Sequence, residues 1–255
     1  MSHAKLIRAG VLALLVVALS AFAGGASAAL VEVNGIRLHA DGGFEPRLLP
    51  RHRYVPINFQ GYFEISAIHG GRPPALQEAV IDFDRDGRLS VGGLPTCAPE
   101  QIAAATTAEA RKTCAGAQVG TGRIEAIVSL PGMEGTVGAP LTIFNGPPVN
   151  GNPTAIMHAH FSGLVNQTYA VVVPIERRPG PFRYRATIVL PPILEGRGSV
   201  TDVSVKIGRR YSAGGKRRSY VSAHCSDHIL ETHGHFLFSN GTVIDGVVEK
   251  YCAIK

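Results

Sequence analysis

The chain has 255 residues, 45% of them hydrophobic, with 30 Gly, 17 Pro, no Trp and a formal net charge of +6 at pH 7. That length holds one large domain or two small ones. The mild basicity permits contact with an anionic surface without requiring one. Apolar runs beyond residue 30 are short, which leaves no second candidate for a membrane segment.

The N-terminus reads as an export signal. Lys5 and Arg8 precede an apolar stretch from Ala9 to Ala23, and Ala26-Ser27-Ala28 offers the small-x-small pattern of a cleavage site. Fifteen apolar residues fall short of the roughly 20 that a spanning helix needs. Residues 1–28 are therefore expected to be removed, leaving 227 residues from Ala29 with a net charge of +4, secreted or periplasmic. No Cys stands at the expected new N-terminus, which argues against a lipid anchor.

Strand signals dominate the rest of the chain. Candidate strands lie near 30–38, 53–67, 76–84, 140–144, 154–161, 168–175, 218–225, 229–238 and 242–252. Three further stripes alternate with period two: Ile124, Ala126, Val128 and Leu130; Tyr184, Ala186, Ile188 and Leu190; Val203, Val205 and Ile207. Asp86-Gly87 and Asn240-Gly241 read as hairpin turns. Pro99–Lys112 is Ala-rich, opens with Pro and ends on Arg111 and Lys112, which predicts one helix. The stretch Asn145–Pro153 is the best candidate boundary, although the strands after it look too few to close a core alone. The expectation is a single domain over 29–255: an all-β, antiparallel β-sandwich with one short inserted helix and two disulfides.

The four cysteines point the same way, since an even number in an exported chain reads as a disulfide framework with three possible connectivities. Cys97–Cys114 would brace the helical insertion, and Cys225–Cys252 would tie the last strands together. No CxxC pair occurs, which removes redox and zinc-ribbon spacings.

Signatures of chemistry are weak. Asp82-x-Asp84-x-Asp86-Gly87 opens like a calcium loop, but Arg88 and Gly93 occupy positions where ligands belong, so a hairpin with an acidic face accounts for it. His158-x-His160 and His233-x-His235, with His224 and Glu231 near them, would each offer imidazoles on one strand face. Alternation sends these side chains outward to solvent. A shared metal needs the two strands to be neighbours. There is no GxSxG, HExxH, Ser-x-x-Lys or phosphate loop. His224-Cys-Ser-Asp-His228 sits beside an expected disulfide and is not read as catalytic, so no catalytic residue, metal or cofactor is expected. Arg209, Arg210, Lys216, Arg217 and Arg218 flank the tip Ser212–Gly215, with Tyr211 and Tyr220 beside them. This basic hairpin is the candidate site for an anionic polymer.

The run Lys216-Arg-Arg-Ser-Tyr-Val-Ser-Ala-His-Cys225 resembles the RRSYxSAxC ending of a group of exported bacterial proteins, many of them actinobacterial. Phe83–Ser90, Gly93–Cys97, Val119–Gly122, Phe144–Gly146 and Ile207–Arg210 are similar to that group too. The resemblance spans roughly residues 50–255. It implies an exported, disulfide-bonded β protein and brings no activity with it.

These residues support three functional readings. The leading one is an exported non-enzymatic binding or scaffold protein of the cell envelope or extracellular space, partnered by an anionic envelope polymer or another exported protein. Nucleic acid is not an expected partner, and no membrane span remains after signal cleavage. The alternative is a carrier of an apolar ligand, and the third is a metal-dependent enzyme using the paired histidines. An apolar cavity would favour the carrier, and a filled core the scaffold.

Overall fold

The computed structural model describes residues 28–255. The predicted signal segment lies outside them, apart from Ala28. From the N-terminus the strands are β1 (Ala29–Val33), β2 (Ile36–Glu45), β3 (Leu48–Leu49), β4 (Val55–Pro56), β5 (Asn58–Ala67), β6 (Leu76–Asp84) and β7 (Gly87–Leu89). The helix α1 (Thr107–Thr113) precedes β8 (Gln118–Leu130), β9 (Met133–Val149), β10 (Asn152–Phe161), β11 (Gln167–Arg177) and β12 (Phe182–Val189). The chain continues with β13 (Gly198–Ile207), β14 (Arg210–Ala213), β15 (Lys216–Ser219), β16 (Val221–Ala223), β17 (Ile229–Phe238), β18 (Val243–Tyr251) and β19 (Ala253–Ile254).

Twelve strands form one antiparallel sheet in the order β1-β2-β5-β13-β8-β9-β10-β11-β12-β6-β17-β18. The sheet curls until its first and last strands meet. A Cβ placed on Gly246 of β18 would sit 3.1 Å from that of Ala29 on β1, and Lys250 of β18 is ion-paired with Asp41 of β2. The seam closes through side chains, giving a nearly closed barrel. The expected two layers exist as opposite walls of this single sheet. Beside the seam they collapse onto each other, as in a sandwich: Phe59 meets Phe83 at 5.6 Å and Phe63 meets Phe236 at 5.5 Å between ring centroids. Apolar residues face inward and the outer wall carries ion pairs such as Arg37–Glu32, Arg123–Glu125 and Arg185–Asp82. That is the reverse of a barrel that spans a membrane. Among the described residues no helix is long and apolar enough to cross a membrane.

The register defines two ends. One holds Glu45, Asn58, Asp84, Gln118, Ile207 and Tyr251; the other holds Ile36, Ala67, Leu76, Leu130, Val189 and Val243. At the first end, β4, β16 and β7 make a small sheet and β3 pairs with β19. Both disulfides form as expected, Cys97–Cys114 and Cys225–Cys252. The second is buried in this end with Phe44, Leu49, Ile57 and Ala223.

Several boundaries differ from expectation. The stretch 30–38 is two strands, because Asn34 and Gly35 both take positive φ and turn the chain. Asp86-Gly87 does not make a hairpin: β7 leaves the barrel and pairs with β16 instead of β6. The predicted helix from Pro99 is a short 3-10 turn, Pro99–Gln101, and then α1, whose start is fixed by a capping box between Thr106 and Glu109. Asn145–Pro153 is no boundary, since β9 runs through it and turns back into β10 at Asn150-Gly151. Its prolines are tolerated because the pairing with β10 slips there, at a bulge between Asn152 and Thr154. Asn240-Gly241 forms the expected hairpin between β17 and β18.

Candidate ligand cavity

Twelve strands enclose more lumen than side chains of ordinary size fill; about eight is the number at which they fill it. Here the wall away from the seam is built of small and medium residues, including Ala155 and Ala159 of β10 and Ala186 of β12. A cavity of about 370 Å³ remains, within the range of small-molecule sites. The inward stripes are the ones alternation predicts: Met157, Ala159 and Phe161; Tyr184, Ala186, Ile188 and Leu190; Val203, Val205 and Ile207.

Few polar groups reach this space. The Tyr169 hydroxyl donates to Gln167 Oε1 at 2.8 Å and accepts from the Leu194 amide at 3.3 Å. Lys250 is held by Asp41; burial alone would raise that carboxyl, but the Lys250 ammonium and the Gly42 amide outweigh it and hold its pKa below the usual range. Asp84 accepts from the amides of Asp86 at 2.7 Å and Glu231 at 2.9 Å, while burial pushes its pKa up. Tyr220 lines the disulfide end of the cavity, but its hydroxyl is buried away from accessible surface and has no hydrogen-bond partner among the described residues. Burial alone moves its pKa upward.

The ends of the cavity are closed differently. At the disulfide end, the Ser90 amide bonds to the Tyr220 carbonyl at 2.8 Å and the Cys225 amide to Pro50 at 3.0 Å. At the other end, the segment Leu190–Gly198 folds across the opening, with Leu190, Pro191 and Ile193 on the cavity wall. Leu194 and Glu195 stand at φ +47° and +57°, a left-handed conformation that costs a side-chain-bearing residue about 1–2 kcal/mol.

The other sequence candidates are placed apart from the cavity. The histidine pairs lie on β10 and β17, with β11, β12 and β6 between them, so the four imidazoles cannot share one ion. Among the described residues no cluster of three His, Cys, Asp or Glu side chains could hold a metal. His158 points outward as expected but not to solvent. The insertion bearing α1 covers it, together with Ile156 and Phe144. Its Nε2 lies 3.1 Å from the Ala105 carbonyl, its Nδ1 has no partner among the described residues, and burial pulls its pKa down. His235 Nδ1 lies 2.9 Å from Asp245 Oδ1 and His233 Nε2 3.5 Å from the same oxygen, on the outer wall.

The three aspartates do not converge. Asp82 takes a two-point grip from Arg185, at 2.8 and 2.7 Å, and that bond holds its pKa down. Asp86 accepts from the Ser226 amide at 2.6 Å and lies 3.3 Å from His224 Nε2, bracing the segment that carries Cys225 just after β16.

The basic hairpin is real but only partly free. β14 and β15 form an arm beside the barrel, packed on loop 90–93 through Tyr211, whose hydroxyl donates to Ser90 O at 3.1 Å. Arg209 is spent on the carbonyls of Ala115 and Gln118, and Arg218 reaches Gly92 O at 3.4 Å. Arg210, Lys216 and Arg217 remain exposed. Tyr220, placed beside this arm by sequence order, is turned into the barrel instead. Its position in the run Lys216–Cys225 was visible; its inward direction was not, because the strand breaks between β15 and β16. No family model, curated protein or solved structure matches this chain.

Proposed function

We propose that this protein is an exported, non-enzymatic carrier that holds an apolar ligand inside its barrel. The observation that carries this reading is the apolar cavity of about 370 Å³ inside the barrel, where a pure scaffold would have a filled core. Native proteins pack their interiors nearly as densely as organic crystals, so a void of this size with an apolar wall has a use. Export is supported by the two disulfides and by the leader-like residues 1–28.

The test is ligand loading. Protein purified from its own host under native conditions is analysed by native mass spectrometry, then stripped with solvent and titrated with N-phenyl-1-naphthylamine. A co-purifying apolar molecule and saturable fluorescence at one site per chain are expected. An empty protein that binds no probe while its barrel stays folded returns the reading to a scaffold.

A second reading, docking to an anionic envelope polymer, is favoured by Arg210, Lys216 and Arg217 standing exposed on one arm. Charge reversal at these three should abolish salt-sensitive retention on heparin. Equal retention of the reversed variant would make the arm ordinary surface.

A further inference from the structure

The apolar lumen meets concentrated positive charge at its disulfide end. Arg88 lines the cavity and is also exposed, so this one side chain connects the lumen with the surface. It stands on β7 opposite Ser222 of β16, and Tyr54 immediately precedes β4 on the far side of β16. The Arg88 guanidinium lies over the Tyr54 ring at 5.4 Å. That of Arg183, a half-buried residue near the start of β12, lies over the same ring at 5.6 Å. Three elements thus bring two cations to one aromatic side chain.

Among the described residues neither guanidinium has a carboxylate or a hydrogen-bond acceptor. Arg37, Arg85, Arg123 and Arg185, by contrast, each hold a carboxylate. The acidic groups around Arg88 are occupied elsewhere. Asp84 accepts from the amides of Asp86 and Glu231, Asp86 from the Ser226 amide, and Asp227 is taken by Arg85. Cation–π attraction holds each guanidinium on the ring but uses none of its N–H donors. Two like charges held at one ring repel each other. An anion bound by both removes that repulsion and takes up the free donors. The guanidinium fork matches the oxygens of a carboxylate or a phosphate.

Resting on the carrier reading above, we propose that the ligand is a single-headed anionic amphiphile, its carboxylate or phosphate held by Arg88 and Arg183 at the disulfide end and its tail in the lumen. Arg88 supplies the continuity between the two, since it belongs to both the cavity wall and the cation pair. This end suits a head group because it is rigid: Cys225–Cys252 closes it, and β16 is paired on both sides, with β4 and β7. A few fixed polar groups beside an apolar wall are what orient a ligand.

The experiment uses the stripped mature chain at pH 8 and low salt. Dodecanoate, dodecyl phosphate, 1-dodecanol and dodecyltrimethylammonium each displace N-phenyl-1-naphthylamine. Wild type should prefer the two anions to dodecanol and bind the cation weakest; whichever anion binds tighter tells carboxylate from phosphate. Arg88→Gln with Arg183→Gln should weaken the anions about tenfold or more and leave dodecanol unchanged. Arg51→Gln with Arg53→Gln removes the same charge from the exposed loop before Tyr54 and should change nothing. Equal wild-type affinity for the anions and dodecanol would overturn the head-group assignment while the carrier reading stands. An equal loss in the two double variants would overturn it too, by reducing the effect to overall charge. The wild-type series decides even if the Arg88, Arg183 variant folds poorly. Failure of every probe to bind wild type would remove the carrier reading and this assignment with it.

Discussion

The two ends of the barrel close in opposite ways. At one end a disulfide, a three-stranded sheet and a parallel pair interlock, and Phe44, Leu49 and Ile57 fill the space between them. At the other, nine residues lie across the opening, two of them prolines without amides. Two more stand in a left-handed conformation that only glycine adopts freely. The flap is not loose: the Leu190 amide bonds to Gln77 O at 2.9 Å, and Arg72 reaches Gly196 O at 3.1 Å. Its backbone is nevertheless strained, and strain of this kind collects at lids and switches. On the proposed carrier reading, the locked end would hold a ligand's position and the strained end would let it pass.

The largest test of that contrast is Cys225→Ala with Cys252→Ala. The bond closes a loop of 27 residues, and its loss should cost about 3–4 kcal/mol. For a domain of this size that is a fall in Tm of roughly 10 °C. Hydrogen exchange should rise in β16 and β19 while the flap keeps its wild-type rate. A uniform rise at both ends would mean that the disulfide supports the whole barrel and that the ends do not differ.

Next in size is filling the lumen between them. Ala159 and Ala186 are buried on the cavity wall. Ala159→Phe should lower affinity for N-phenyl-1-naphthylamine more than tenfold, while stability shifts by no more than about 1–3 kcal/mol in either direction. Unchanged affinity would place the probe outside the barrel.

A smaller effect is expected at the flap. Glu195 is exposed, its contact with Arg197 is a loose 3.5 Å, and its φ is +57°. Glu195→Gly should relieve the strain and stabilise the protein by about 1 kcal/mol or less, because glycine also gives the unfolded chain more freedom. Ligand release, followed by stopped-flow fluorescence, should slow if the flap is the portal. A changed Tm with unchanged release would separate the strain from ligand passage.

How far the sequence foretold this arrangement depends on what each signal encodes. Alternation identified the lumen face of β10, β12 and β13 because period two reports which side of a strand is apolar. It is silent about what stands opposite, so a barrel wall and a sandwich layer read alike, and continuity from β11 to β12 was not legible. Residues 141–146 are all buried because the insertion covers one face and the lumen takes the other, which erased the alternation that would have extended β9. The Thr106-x-x-Glu109 capping box and the Asn34-Gly35 turn were both legible and decide two of the corrected boundaries. The flap was not: nothing in Leu190–Gly198 announces that Leu194 and Glu195 adopt positive φ, since neither residue favours it. Tyr220 was hidden for a related reason. Its neighbours Arg217 and Arg218 belong to an exposed arm, and the direction of its side chain is set by a strand break with no local marker.

The last prediction tests whether the covered outer wall belongs to the locked end. The insertion leaves and re-enters the barrel at the disulfide end, through Cys97 and Gln118, and it rests on His158. Burial lowers the pKa of His158 below its ordinary 6.5, helped by the neighbouring His160 and opposed by the Ala105 and Ile102 carbonyls. As the pH falls below about 6.5 the unfolded chain gains a proton that the folded chain refuses. The stability gained by burying a neutral imidazole is therefore complete above that pH. It declines as the pH drops toward the folded value. Asp84 acts in the opposite sense, since its raised pKa means that protonation in acid relieves a buried charge. The His158→Gln variant separates the two, because it should flatten the loss below pH 6.5 and leave the Asp84 contribution in place. Hydrogen exchange at pH 5.5 against pH 7.5 should show wild-type protection falling in residues 97–117 and in β10, with the flap unaffected. If acid instead loosens the flap first, the strained end is also the pH-sensitive one, and the insertion is a passive cover.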